Sequence, residues 1–206
     1  MMNIFKSTSR RFASDKQGIA AIEFAMIAPV MLFMFFGLVE LSDAIKAHKK
    51  VSSAANILAD LTSQEKRIDN SEISDYFKAV EQVITPYGIE DAKMEIVSIV
   101  LDDNDVPKVA WSANNEGAEP YANGATYPDF NEIAAYSGGT ADSFLHTDSS
   151  LIISKVEYTF KSKLSNVRFE QLEFKEMSMR WPRKEKKIKM CTDPDDLDTC
   201  VYDVTG

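Results

Sequence analysis

Glu23 is the most unusual of the residues that could do chemistry, because it is the one charge between Ile19 and Val39 in an otherwise apolar run. A carboxylate in hydrocarbon costs about 2.5 kcal/mol or more at mid-span and less near the edge, so such a residue has a job, a partner or a place at the interface. Gly18 stands five positions before it and Phe24 directly after it, giving the spacing G-x-x-x-x-E-[FY]. The other candidates are weaker. His48 and His146 are the only histidines, and neither has a second His or a Cys at metal-ligand spacing. His146 lies near Ser143 and Asp148, but a catalytic triad is assembled across a fold rather than along a few residues. No glycine-rich phosphate loop follows a strand. The expectation is no catalytic residue, no metal, no cofactor and no enzymatic activity.

Two acidic clusters resemble the start of a calcium loop: Asp102, Asp103, Asn104 and Asp105, and Asp193, Asp195, Asp196 and Asp198. Neither has the glycine and downstream glutamate of an EF-hand, and Asp and Asn also serve hairpin tips, so turns are the favoured reading. Cys191 and Cys200 frame a loop of ten residues. If they pair, the chain-entropy gain is about 2.5 to 3 kcal/mol. In a cytosolic protein they would be free thiols; so close together on a membrane-anchored chain they fit an oxidising compartment, the periplasm of a bacterium. Arg183, Lys184, Lys186, Lys187 and Lys189 form a basic strip opposed locally only by Glu185, whereas residues 90–150 carry twelve acids and two bases. Such charge faces are either solvated or dock on oppositely charged neighbours.

The element that must position Glu23 is a helix. Gly18 to Leu41 reads as a membrane span, since Ile19 to Val39 as a helix covers roughly 30 Å at 1.5 Å per residue. The apolar run is longer than a signal-peptide core and has no A-x-A-like cleavage site, so a retained anchor is expected. The chain divides into a basic leader (1–18), a transmembrane helix (19–41) and an ectodomain (42–206). Net charge is −9, but the first fifty residues carry seven Lys/Arg against four Asp/Glu, leaving −12 on the rest. That acidity argues against nucleic acid as the main partner. Lys46, Lys49 and Lys50 partly balance the leader's charge, yet the amino terminus reads as cytoplasmic.

The helical pattern continues past the membrane. No Pro or Gly occurs from Ser42 to Gln64, and Val51, Ala54, Leu58 and Leu61 recur at helical spacing, so Ile19–Gln64 is expected as one rod of about 70 Å, kinked at Pro29 unless its neighbours restore the lost contact. Asp69, Asn70 and Ser71 cap a second helix with Ile73, Phe77, Val80 and Ile84 on one face, closed by Pro86. Met94–Leu101 and Val106–Trp111 read as a hairpin, residues 112–149 as a long surface excursion with one short helix or strand in it, Leu151 onward as a strand, and Phe174 to Trp181 as a last strand stopped by Pro182. The fold class is α+β: a long amino-terminal transmembrane helix extending into a periplasmic domain with an antiparallel sheet of three or four strands.

G-x-x-x-x-E-[FY] is also the processing form of type IV prepilins, in which a membrane peptidase cuts after the glycine. The leader RRFASDKQG, the run IAAIEFAMIAPVMLFMFFGLVEL and the basic helix after it resemble the TadE/TadG-like proteins of the tight-adherence (Tad/Flp) pilus system. VSSAANILADLTSQ, PYGIEDAKMEIVSIVLDD, SLIISKVEYTF and RWPR with the late cysteine follow the order of that group. The resemblance implies a minor pilin-like (pseudopilin) or assembly protein of a bacterial surface fibre. It makes Gly18 the cleavage point, Ile19 the new amino terminus and Glu23, followed by Phe24, the pilin-type glutamate. Members of the group differ in whether they are cut, and Phe24 stands where the major pilin commonly has Tyr. The partners implied are the lipid bilayer, other pilin or pilus-assembly subunits and a prepilin peptidase. The location is the bacterial inner membrane, single-pass, with the carboxy-terminal domain periplasmic. The alternative is a periplasmic binding or sensor domain on a simple anchor.

Overall fold

The computed structural model describes residues 17–87, 92–128, 130, 133, 145, 146, 148–161, 172–193, 196–201 and 204. Helix α1 (Gln17–Ser63) has 47 residues and continues through Pro29. With no Gly or Pro between Ser42 and Gln64, nothing in the sequence interrupts it there. It closes with tightened i→i+3 bonds, Gln64 N–H to the Leu61 carbonyl and Glu65 N–H to that of Thr62, while the Thr62 hydroxyl donates to the Leu58 carbonyl.

Contacts divide the chain into two units, one holding α1 up to Ala44 and one beginning at Ile45. In the first unit the side chains of Ile19 to Leu38 project outward, Phe33 as far as 79% exposed. An 18-residue window of α1 reaches a mean hydropathy of 2.2 with none of it buried, so by length and composition it can cross a membrane.

The second unit is α+β. Strand β1 (Arg67–Asp69) leads directly into α2 (Asn70–Ile84), followed by β2 (Ala92–Leu101), β3 (Pro107–Asn114), β4 (Leu151–Phe160), β5 (Leu172–Arg180), β6 (Lys189–Cys191), a 3-10 turn (Leu197–Thr199) and β7 (Cys200–Val201). The main sheet has the order β3-β2-β4-β5 with every neighbour antiparallel, the upper of the expected strand counts. In α2 the Asp69 carboxylate accepts from the N–H groups of Ser71 and Glu72, and the Glu72 carboxylate accepts from the Asp69 N–H: a complete capping box. The backbone hydrogen bond from Glu72 comes first among the influences that hold the Asp69 pKa below its ordinary value. The face buried is the expected one, Ile73, Phe77, Val80 and Ile84, and Pro86 prevents continuation.

Period-2 alternation puts even and odd residues of β4 on opposite sides of the sheet. The even face carries Ile152, Ser154 and Val156 and receives α1, because the Ser154 hydroxyl donates to the Ala55 carbonyl at 2.6 Å. Leu151 and Ile153 on the odd face pack with Val97, Ile99, Leu101 and Val109 under Tyr127, Phe130 and Leu145. This corrects the expectation of a surface excursion over 112–149. Its first three residues still belong to β3, and its aromatics roof a second core. Isolated aromatics separated by Gly and Pro carry no period, so the pattern did not announce them. The same segment covers the edge of β3: Val109 N–H donates to the Ala125 carbonyl and Gly124 N–H to that of Val109, with Gly124 at a positive φ of 76°.

The second sheet, order β1-β6-β7, was not anticipated. Its strands have two or three residues, too short for a recognisable alternation. β1 and β6 run parallel, Arg67 opposite Lys189, and β6 and β7 antiparallel, Cys191 opposite Cys200.

Candidate assembly site

Gly18, Ile19, Glu23 and Phe24 lie within the first two turns of α1 as described, and all four are exposed. Ile19 and Glu23 are four residues apart and so share one face, about one turn of rise between them. A Cβ added at Gly18 would meet nothing within 4 Å. The space beside the Gly18 Cα is therefore open. Glu23 has no ion pair or hydrogen bond to another described residue. Around it Ile22, Phe24, Met26 and Ile27 are more than half exposed. A contiguous apolar surface of this kind has to be covered by lipid or by other helices.

In the ectodomain unit, the part of α1 beyond Ile45 is seated by small residues. Ala47, Ala54, Ala55 and Ala59 are buried beside Val51 and Leu58. Leu61, expected on the stripe, is only half-buried, whereas Thr62 and Ser63 are fully buried. The helix face is turned slightly from a pattern based on Val and Leu alone. Polar contacts fix the register. Asn56 Oδ1 accepts from Ser178 Oγ at 3.0 Å and from the Arg180 guanidinium at 3.1 Å. Arg183 forms an ion pair with Asp60, and its N–H donates to the Ser63 carbonyl at 2.9 Å. Lys50 Nζ reaches the carbonyls of Val83, at 2.9 Å, and Thr85 at the end of α2, where a cation complements the unsatisfied carbonyls. His48 contacts Glu176 at 2.7 Å, with its ring edge-on to Phe174.

Cys191 and Cys200 form a disulfide that ties β6 to β7. The acidic clusters make turns. Asp102 Oδ1 accepts from the N–H groups of Asn104 and Val106, and Asp105 takes a φ of 60°; Asp196 Oδ1 accepts from the Asp198 N–H. Asp195 lies outside the described residues. Among the described residues no group of three or more His, Cys, Asp or Glu is placed to hold a metal ion. Part of the basic strip is engaged within the chain: besides Arg183 with Asp60, Lys186 meets Asp148 at 2.9 Å, and Glu185 is held by Lys66 at 3.3 Å.

Residues 18–60 match the model of a family described as TadE-like protein. The chain carries a TadE-like segment. No curated protein and no solved structure matches. The TadE-like segment begins at Gly18, contains the exposed apolar helix with Glu23, and ends at Asp60, the residue that holds Arg183. The four-stranded sheet lies beyond it. The matched residues overlap those that carry the resemblance to TadE/TadG-like proteins.

Proposed function

We propose that the chain is a minor pilin-like assembly subunit of a Tad/Flp pilus that acts through its amino-terminal helix. The observation that carries this reading is a lone carboxylate one turn beyond the exposed Ile19, on an exposed apolar helix inside a TadE-like segment. A prepilin peptidase cutting after Gly18 frees the Ile19 amine. Glu23 of one subunit then attracts that ammonium on a neighbour. Two such charges 4 Å apart gain about 4 kcal/mol at an effective dielectric of 20, enough to offset part of their desolvation. Passage from lipid into a fibre buries Met26 to Leu38 against other pilin helices and leaves the sheet domain outward as a cap or adaptor. The amino terminus is cytoplasmic and the domain periplasmic, a compartment in which the Cys191–Cys200 bond persists. The partners are the bilayer of the inner membrane, other pilus subunits and the peptidase.

The experiment is an exchange of residues 19–41 for an unrelated apolar span of equal length. A pilin-like subunit anchored by the new span loses pilus assembly. Unchanged assembly overturns the reading and favours a periplasmic binding or sensor domain on a simple anchor.

A further inference from the structure

Strand β3 is one edge of the four-stranded sheet, and the chain that follows it folds back along that edge. Asn114 N–H donates to the Ala118 carbonyl at 3.1 Å. The Ser112 hydroxyl donates to the Tyr121 carbonyl at 2.7 Å and accepts from the Tyr121 N–H at 3.0 Å. Lys108 and Thr126 form a β-bridge. Between these points lies Asn123–Gly124, the one Asn-Gly pair in the sequence.

A bulge explains why an asparagine sits there. Trp111 pairs with Ser98 and Val109 with Ile99, so Ala110 has no partner in β2. Ala110 is 1% exposed, and a carbonyl buried in this way needs a donor. Asn123 supplies it, with Nδ2 donating to the Ala110 carbonyl at 2.7 Å. Gly124 completes the clasp. It takes a positive φ of 76°, its N–H donates to the Val109 carbonyl at 2.8 Å, and the Ala125 N–H closes the turn on the Ala122 carbonyl at 3.1 Å.

An Asn-Gly pair carries its own chemistry. Once the main-chain nitrogen of Gly124 loses its proton it can attack Cγ of Asn123, because glycine has no Cβ to hinder the approach. A bond forms from that nitrogen to Cγ, the Cγ–Nδ2 bond breaks, and ammonia leaves with the proton. Water then opens the five-membered imide. Addition at Cγ gives aspartate in the normal chain, and addition at the main-chain carbonyl gives isoaspartate, whose backbone runs through the side chain and is one atom longer. One water is consumed and one ammonia released. In the folded protein both reacting groups are engaged, the nucleophile's N–H by Val109 and the leaving amide by Ala110. Ring closure requires both bonds to break, which means local opening of the segment from β3.

We propose that Asn123 is a self-modifying site guarded by the fold, intact while residues 118–126 lie on β3 and converted to aspartate or isoaspartate once that segment opens. The change then keeps the edge loose. A carboxylate has no hydrogen to give the Ala110 carbonyl and leaves it unsatisfied, and isoaspartate also lengthens the turn. The effect reaches the second core, because Tyr121 lies edge-on to Tyr127 at 5.2 Å and Tyr127 is part of the roof over the odd face. An uncovered edge strand is a template for pairing with other chains, so an irreversible chemical change is coupled to exposure of β3. The site depends neither on cleavage at Gly18 nor on a place in a pilus.

The test incubates the full chain in lipid nanodiscs in mildly alkaline buffer beside a free peptide copying residues 118–128. Mass spectrometry of proteolytic fragments follows conversion of the amide to the acid, and electron-transfer fragmentation separates aspartate from isoaspartate. Conversion at Asn123 is expected to be at least about tenfold slower in the folded chain than in the peptide, since only the open fraction reacts. Ser112→Ala removes both bonds to Tyr121 without touching the reacting groups and should raise the rate in the chain. Asn123→Asp should lower the urea midpoint relative to the wild type. Equal rates in chain and peptide overturn the proposal, as does a Ser112→Ala rate no faster than the wild type. So does an unchanged midpoint in Asn123→Asp, which would show that the amide does not hold the edge. The comparison of chain with peptide uses the native sequence, so it decides the matter even where a variant fails to fold.

Discussion

Replacing Ala55 with leucine drives a branched side chain into a buried place where α1 hydrogen-bonds to the sheet. The Ala55 side chain is 1% exposed, and its carbonyl takes the Ser154 hydroxyl at 2.6 Å, so no neighbouring space is open to three more carbon atoms. Overpacking a close-packed site costs about 1 to 3 kcal/mol. Moving the helix away to relieve it breaks the Ser154 bond, worth about 1 kcal/mol. The expected loss is about 2 to 4 kcal/mol. With a urea slope near 2 kcal/mol per molar, the unfolding midpoint falls by about 1 to 2 M. The assay is a urea titration of the detergent-solubilised full chain on a Trp181→Phe background. The signal is then Trp111, which is buried with its indole N–H donating to the Ile188 carbonyl at 2.8 Å. Ser154→Ala alone should cost only about 1 kcal/mol. If Ala55→Leu costs no more than Ser154→Ala, the helix is not seated on the even face of the sheet and the packing described above is wrong.

Cys191→Ser together with Cys200→Ser should lower stability by about 2.5 to 3 kcal/mol, read as a lower urea midpoint that a reducing agent no longer changes. Asp69→Ala should cost about 1 kcal/mol by removing the cap of α2. The Asp69 pKa is lowered in the fold, so its contribution is present above about pH 4 and is lost as pH falls through the folded value. The wild-type and variant stabilities should therefore converge below pH 4. Tyr76 is pushed up to about 12, first by burial and then by the charge and hydrogen bond of Glu65. The unfolded chain ionises near pH 10 while the folded one holds its proton, so stability should decline between pH 10 and 12, and less so in Tyr76→Phe, as followed by unfolding midpoints across that range.

The parts of the fold legible in the sequence are those with a period long enough to register. Ile73, Phe77, Val80 and Ile84 with the Asp69 cap gave the second helix nearly residue for residue. The hairpin around Asp102 and the strand from Leu151 were plain from β-branched runs and turn residues. What escaped notice was carried by residues without a period. Tyr127, Phe130 and Leu145 roof the odd face from an irregular segment. Ala47, Ala55 and Ala59 hold the helix close to the sheet by being small, a role that a search for large apolar residues overlooks. The β1–β6 pairing joins segments far apart in the chain through three-residue strands. The candidate site was legible in a different way. Glu23 stood out because a charge in an apolar run is costly, and the structure leaves it exposed on the helix without a partner among the described residues.

Mass spectrometry of the amino terminus of the membrane-extracted protein tests the central claim most directly. A processed subunit begins at Ile19, with residues 1–18 removed and the new amine available to Glu23 of a neighbour. A protein that begins at Met1 or Met2 in cells with assembled pili would contradict that account.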